Sequence, residues 1–152
     1  MYFFEGLWLV LFIFILAASA FAQSNNRDAV KWFNIGLRVR NDYEAIEAYK
    51  KSIALDAEFM EAMINAGLRY KKIGDFEQAE KYLEMALTAK TGKIAPDMKF
   101  KILYEIANIY LRKSEINAYE RKVGEARAAT QNQSLLATLA FEHGRFIYQP
   151  KR

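Results

Sequence analysis

His143 is the only histidine in this sequence, and there is no cysteine. Thiolate metal sites, disulfides and thiol nucleophiles are therefore excluded, and a single histidine within a helical segment reads as a surface or packing residue. Glu77, Glu80 and Glu84 recur at i, i+3 and i+7, a spacing that gathers carboxylates on one helix face where a cation could sit. Lys81, Lys71 and Lys72 stand beside them, so the cluster reads as a solvated charged face. The "TGK" at 91–93 lacks the glycine-rich run that cradles a phosphate and reads as a turn. Ser52, Ser114 and Ser134 each have a packing or capping explanation, and no base is placed to activate any of them. The residues predict no enzyme, no metal and no cofactor.

What must be positioned, then, is a surface, and the bulk properties say what kind of body carries it. The chain has 152 residues, 53% of them apolar and 26% charged, with only two prolines. That suits one folded domain with a separate terminal segment. The formal charge of +4 is scattered among acids, without the dense basic stripe that nucleic-acid binding requires.

Residues 1–22, "MYFFEGLWLVLFIFILAASAFA", are a different material, with Glu5 their one charge and an unbroken apolar run over 7–18. Two small-residue cleavage patterns, Ala18-Ser19-Ala20 and Ala20-Phe21-Ala22, fit a signal peptide cut before Gln23, although a basic start is missing. The same stretch is long enough for an uncleaved membrane helix with Tyr2 and Trp8 in the interface. A helix buried in the domain is the third alternative and would need a matching apolar cavity. The segment thus implies export (periplasmic or extracellular) or membrane anchoring. Arg27, Lys31, Arg38 and Arg40 just downstream oppose export under the positive-inside tendency.

From Arg27 to residue 148 the pattern is helical throughout, with no alternating strand runs. Asp42 and Asp75 are expected as N-caps, Gly74 as a left-handed stop, Pro96 in a first turn, Ser114 as a further cap, and Pro150 beyond the last helix. The segments overlay. "WFNIGLRV" (32–39), "MINAGLRY" (63–70) and "LYEIANIY" (103–110) put a large residue first, a small one fifth and a large one last. Their partners are "DYEAIEAYKKSIALD" (42–56), "DFEQAEKYLEMALTA" (75–89) and the weaker "SEINAYERKVGEARAA" (114–129). Glycine inside a helix costs about 1 kcal/mol relative to alanine, so its recurrence in register needs a packing reason. Gly67, Ala79 and Ala86 admit neighbouring helices, while Tyr70, Tyr82 and Leu83 fill the space beside them.

These motifs resemble the tetratricopeptide repeat, a helix-turn-helix unit of about 34 residues. The middle repeat matches best, through Ala66-Gly67, Tyr70, Gly74-Asp75-Phe76, Ala79 and Ala86. The first has Trp32, Ile35-Gly36, Asp42-Tyr43, Ala45, Tyr49 and Leu55-Asp56, and is about a turn shorter near Arg40-Asn41. The third has Leu103, Ile106-Ala107 and Tyr110. The resemblance implies an all-α fold: a short right-handed α-solenoid of about three such hairpins, preceded by the hydrophobic N-terminal helix. "NQSLLATLAFEHGRFIY" (132–148) would seal its end, with Leu135, Leu136, Leu139 and Ile147 inward. The loop at 89–97 is about six residues longer than the family's turn; it reads as a surface insertion or as the place of a chain-specific feature.

In this family the first helix of each repeat lines a concave groove that takes extended peptides or partner helices. The matching positions are Phe33, Asn34 and Leu37; Ile64, Asn65, Leu68 and Lys71; and Tyr104, Asn108 and Arg112. Amides there could bond a peptide backbone, and Phe33 and Tyr104 could anchor side chains, unless several of these residues simply pack within the stack. Family members that clamp a terminal carboxylate use a Lys and an Asn on the first helix. This chain has Phe33 and Leu37 there, so that specialised clamp is broken even though Asn65 and Lys101 match its pattern. The resemblance implies a non-enzymatic interaction module with a protein partner; the alternative is a structural subunit of a membrane complex, held there by residues 1–22.

Overall fold

A computed structural model describes residues 26–89 and 94–147 of the chain. Seven helices make up this part: α1 (Arg27–Arg38), α2 (Asp42–Leu55), α3 (Met60–Ile73), α4 (Phe76–Thr88), α5 (Pro96–Arg112), α6 (Ile116–Ala129) and α7 (Gln133–Ile147). They form three antiparallel pairs, α1/α2, α3/α4 and α5/α6, in which the second helix of one pair packs against the first of the next. The fold is an all-α stack, as the repeating motifs predict. Residues 1–22 and most of the long loop, including the "TGK" turn, lie outside the described residues, as does Pro150. Among the described residues, no helix is long and apolar enough to cross a membrane.

Helix boundaries follow from capping chemistry. The Asn26 side chain accepts from the Asp28 and Ala29 amides at 3.0 and 3.2 Å, and its amide donates to the Leu55 carbonyl at 2.8 Å. One residue thereby starts α1 and ties it to the end of α2. Asp75 caps α4 by accepting from Gln78 at 3.1 Å, Gly74 ends α3 with φ of 84°, and Pro96 opens α5.

Two of the expected caps are placed differently. Asn41, not Asp42, caps α2, accepting from the Tyr43 and Glu44 amides at 2.9 and 3.2 Å. Asp42 is the first helical residue, and its carboxylate faces Arg69 at 2.5 Å and Lys72 at 2.8 Å on α3. Ser114 does not cap α6 either. It ends α5 in the left-handed region with φ of 60°, while Glu115 donates back to the Tyr110 carbonyl at 2.9 Å. Asp75 makes the same backbone bond to Tyr70 at 3.0 Å after Gly74, so Ser114 stands where the preceding pair uses glycine.

Small side chains do let the helices nest. A Cβ on Gly36 would lie 2.5 Å from the Tyr49 ring, and one on Gly67 would lie 2.8 Å from Leu83 Cγ and 3.1 Å from the Ala79 carbonyl oxygen. Tyr49, Leu83, Ala79 and Ala86 are essentially inaccessible. The main core runs from Met60 and Met63 through Leu83 and Ala86 to Ile102, Leu103, Ile106 and Ile109, and on to Val123 and Leu139. Burying side chains of this size contributes about 1.5–3 kcal/mol each. Within this setting the Ser52 hydroxyl is buried but satisfied, donating to the Ala29 carbonyl at 2.8 Å.

Helix α7 closes the C-terminal end. Asn132 caps it, accepting from Ser134 and Leu135 at 3.1 and 3.3 Å. Asp97 at the start of α5 holds the preceding turn through Thr130 at 2.5 Å and Asn132 at 2.9 Å. Leu139 is buried, Leu135 packs on the core and Leu136 is half-buried; the Ile147 side chain lies outside the described residues.

Candidate functional site

The first helices of the three pairs, α1, α3 and α5, carry the positions expected to line a groove. Contacts tie them in sequence. Phe33 on α1 packs against Phe59, just before α3, with ring centroids 4.9 Å apart, and Lys71 on α3 pairs with Glu105 on α5.

The individual residues divide by what they already touch. Asn34 and Arg112 are exposed, and Leu37 is 50% exposed. Leu68 and Asn108 are half-buried. Tyr104 stacks on Phe100 at 6.1 Å, and its hydroxyl is hydrogen-bonded by Asn108, four residues along the same helix. Burial pushes the Tyr104 hydroxyl above its ordinary value, and the Asn108 bond offsets part of that. Asn65 is half-buried and donates to the Glu61 carbonyl at 2.8 Å within its own helix. Its side-chain oxygen remains an acceptor in chemical terms.

Four of the ten are committed to holding the stack together. The Phe33 ring lies between Tyr49 at 5.8 Å and Phe59 at 4.9 Å, so it seals α1 onto its neighbours. Ile64 and Tyr104 pack on the main core. Lys71 commits its ammonium to Glu105. Sequence spacing alone cannot separate an inward from an outward turn of such residues, because both lie on the same broad face of a first helix.

Other residues singled out by type are absorbed by packing. His143 Nδ1 lies 3.2 Å from the Tyr119 hydroxyl and Nε2 lies 3.6 Å from Glu120, which fastens α7 to α6. Two members of the glutamate cluster reach across helices rather than into water: Glu80 accepts from the Tyr110 hydroxyl and lies 3.6 Å from Lys113, and Glu84 lies 2.9 Å from Lys122. Glu77 is exposed. Among the described residues, no three His, Asp or Glu side chains converge as metal ligands.

The arrangement defines a class: helical hairpins stacked in tetratricopeptide-repeat fashion. No family model and no curated protein matches the chain. Among solved structures, the crystal structure of MamA protein, a tetratricopeptide-repeat-containing protein, is similar with a TM-score of 0.60 and 18% sequence identity. The match covers 84% of this chain and 62% of that one. At that identity the likeness establishes the fold, a tetratricopeptide-like helical repeat.

Proposed function

We propose that this chain is a non-enzymatic protein-interaction module that seats an extended peptide or a partner helix along the face shared by α1, α3 and α5. The observation that carries this reading is the chemistry of that face. Asn34, Asn65 and Asn108 recur there beside Leu37, Leu68 and Tyr104. Amides can meet a partner's backbone without selecting its sequence, while the apolar neighbours supply contact area.

A photo-crosslinking residue placed at Leu37, Leu68 or Arg112 is expected to capture one partner, and the same residue at Lys51, Lys81 or Arg127 is not. Asn65→Ala is expected to weaken capture while helicity by circular dichroism is retained, whereas Gly67→Leu unfolds the stack. Equal crosslinking from both sets of positions, or equal loss of helicity in the two variants, would place the binding surface elsewhere.

The apolar run at 7–18 supports a setting at or outside the membrane. With cleavage, the domain is exported; without it, residues 1–22 hold the domain to a membrane as a structural subunit. Mass spectrometry of the protein from its own cell separates the two, because a mature start at Gln23 removes the anchor.

A further inference from the structure

In α3 and α5, three positions of the helix face the preceding pair. In α3 these are Ala62, Ala66 and Arg69, and in α5 they are Ile102, Ile106 and Ile109. The alanines and isoleucines are buried, and Arg69 pairs with Asp42 on α2. The equivalents in α1 are Lys31, Ile35 and Arg38, and no pair precedes them among the described residues. Lys31 and Arg38 are exposed, and with Arg27 and Asn34 they form an exposed row at i, i+4, i+7 and i+11, the spacing of one helix face. Arg40, just beyond the helix, is exposed too. The open end of a stack needs only to be polar, but within this row the charge has one sign. Among the described residues, Arg27, Lys31, Arg38 and Arg40 take part in no ion pair, whereas Lys71 and Lys72 of α3 are engaged by Glu105 and Asp42.

The apolar run at 7–18 lies a short way upstream, and Ala22 is five positions from Arg27, a reach of at most about 18 Å. We infer that the row of Arg27, Lys31 and Arg38 docks on the anionic headgroups of a lipid bilayer, so that the α1 end of the stack lies against the membrane and α7 points away from it. Headgroup phosphates complement the row in charge, and each basic side chain near such a surface strengthens attachment about fivefold. Three such side chains hold a domain only weakly on their own, and a retained segment at 1–22 adds the second attachment that stable docking requires. The inference therefore rests on the reading in which that segment stays uncleaved, and it adds which end of the stack meets the bilayer.

The sequence has no cysteine, so a single fluorophore can be placed at Asn34→Cys in the row or at Ala137→Cys on α7. The full chain is reconstituted into vesicles of phosphatidylcholine alone or mixed with phosphatidylglycerol, each carrying the same small share of nitroxide-headgroup lipid as quencher. The chain is expected to float with both vesicle types. The Asn34 label should be quenched only in the anionic ones, and the Ala137 label in neither. Arg27→Gln, Lys31→Gln and Arg38→Gln combined should keep helicity and flotation while lowering the docked-to-free ratio on the order of a hundredfold, and high salt should act alike. Equal quenching at Asn34 in both vesicle types, or in the triple variant and its parent, overturns the docking and leaves the anchor standing. Loss of that quenching to a polyglutamate peptide, at a concentration too low to screen charge, also overturns it by assigning the row to an acidic protein partner. A chain that fails to float with the neutral vesicles overturns the anchor, and this inference with it.

Discussion

Gly67→Ala puts one methyl group into a tight contact between α3 and α4. The new Cβ would sit 2.8 Å from Leu83 Cγ, 3.2 Å from Leu83 Cδ2 and 3.1 Å from the Ala79 carbonyl oxygen, where carbon atoms prefer about 3.5–4.0 Å. Leu83 is 0% exposed, closed in on every side by the core. Alanine gains about 1 kcal/mol of helix propensity over glycine, while overpacking costs about 1–3 kcal/mol. The net expectation is a loss of up to about 2 kcal/mol. Leu83→Ala alone should cost about 2–5 kcal/mol, but it removes Cγ and Cδ2, two of the three close atoms. In that background Gly67→Ala should therefore become neutral or stabilising, a coupling of about 1–3 kcal/mol. Urea unfolding of all four variants, followed by circular dichroism and by tryptophan fluorescence, measures the cycle; both probes are needed because repeat stacks can unfold in parts. Gly124→Ala is the control, since a Cβ there would meet nothing within 4 Å, and it should stabilise by about 1 kcal/mol. An identical effect of Gly67→Ala with and without Leu83 would refute close helix approach as the reason for glycine here.

Asp42 gives a pH prediction. Hydrogen bonds first from Lys72 and then from Arg69 hold its carboxyl below the ordinary value of 3.8. The folded state thus binds that proton more weakly than the unfolded chain, so this contribution is present above 3.8 and is lost as pH falls through the lowered value. Denaturant midpoints measured at descending pH should show a shallower acid decline in Asp42→Asn than in wild type; parallel curves would contradict the pairing. At the alkaline end, burial first and the Glu80 carboxylate second push Tyr110 from 10.0 up to about 12. Stability from this hydroxyl is full below 10.0 and lost as pH rises through about 12. Among nine tyrosines, the Tyr110 component is isolated by subtracting the phenolate absorbance titration of Tyr110→Phe. Glu80→Gln should lower its midpoint yet leave it above 10.0, and a difference curve centred at the ordinary value would exclude the buried hydrogen bond.

Helix pairing was readable because it rests on contacts that leave a mark in residue size. Gly67 and Leu83 belong to one repeat, the small residue recurs in register as Gly36 and Ala107, and Gly74 and Pro96 each carry a backbone property that few alternatives share. Asn41 and Asp42 show where such marks stop. Both side chains can accept from a first-turn amide, and the choice falls to Asn41 because Asp42 is drawn to Arg69 and Lys72, partners remote in sequence. Ser114 is harder still, since its residue type suggests a cap and its left-handed backbone is set by the turn that α6 requires. Within the candidate site, Asn34 and Leu37 are exposed, whereas Phe33 turns inward to meet Tyr49 and Phe59.

Ser114 also bears on how the stack comes apart. A side chain held at φ of 60° carries a penalty of about 1–2 kcal/mol that glycine avoids, and the preceding pair has glycine at the equivalent corner. Of the two equivalent corners, the one joining α5 to α6, two residues beyond Arg112 at the edge of the proposed binding face, is therefore the more strained. Amide exchange should be faster there than at the Gly74 corner, and a ligand spanning the proposed face would slow it, so occupancy could be followed from a corner that the ligand never touches.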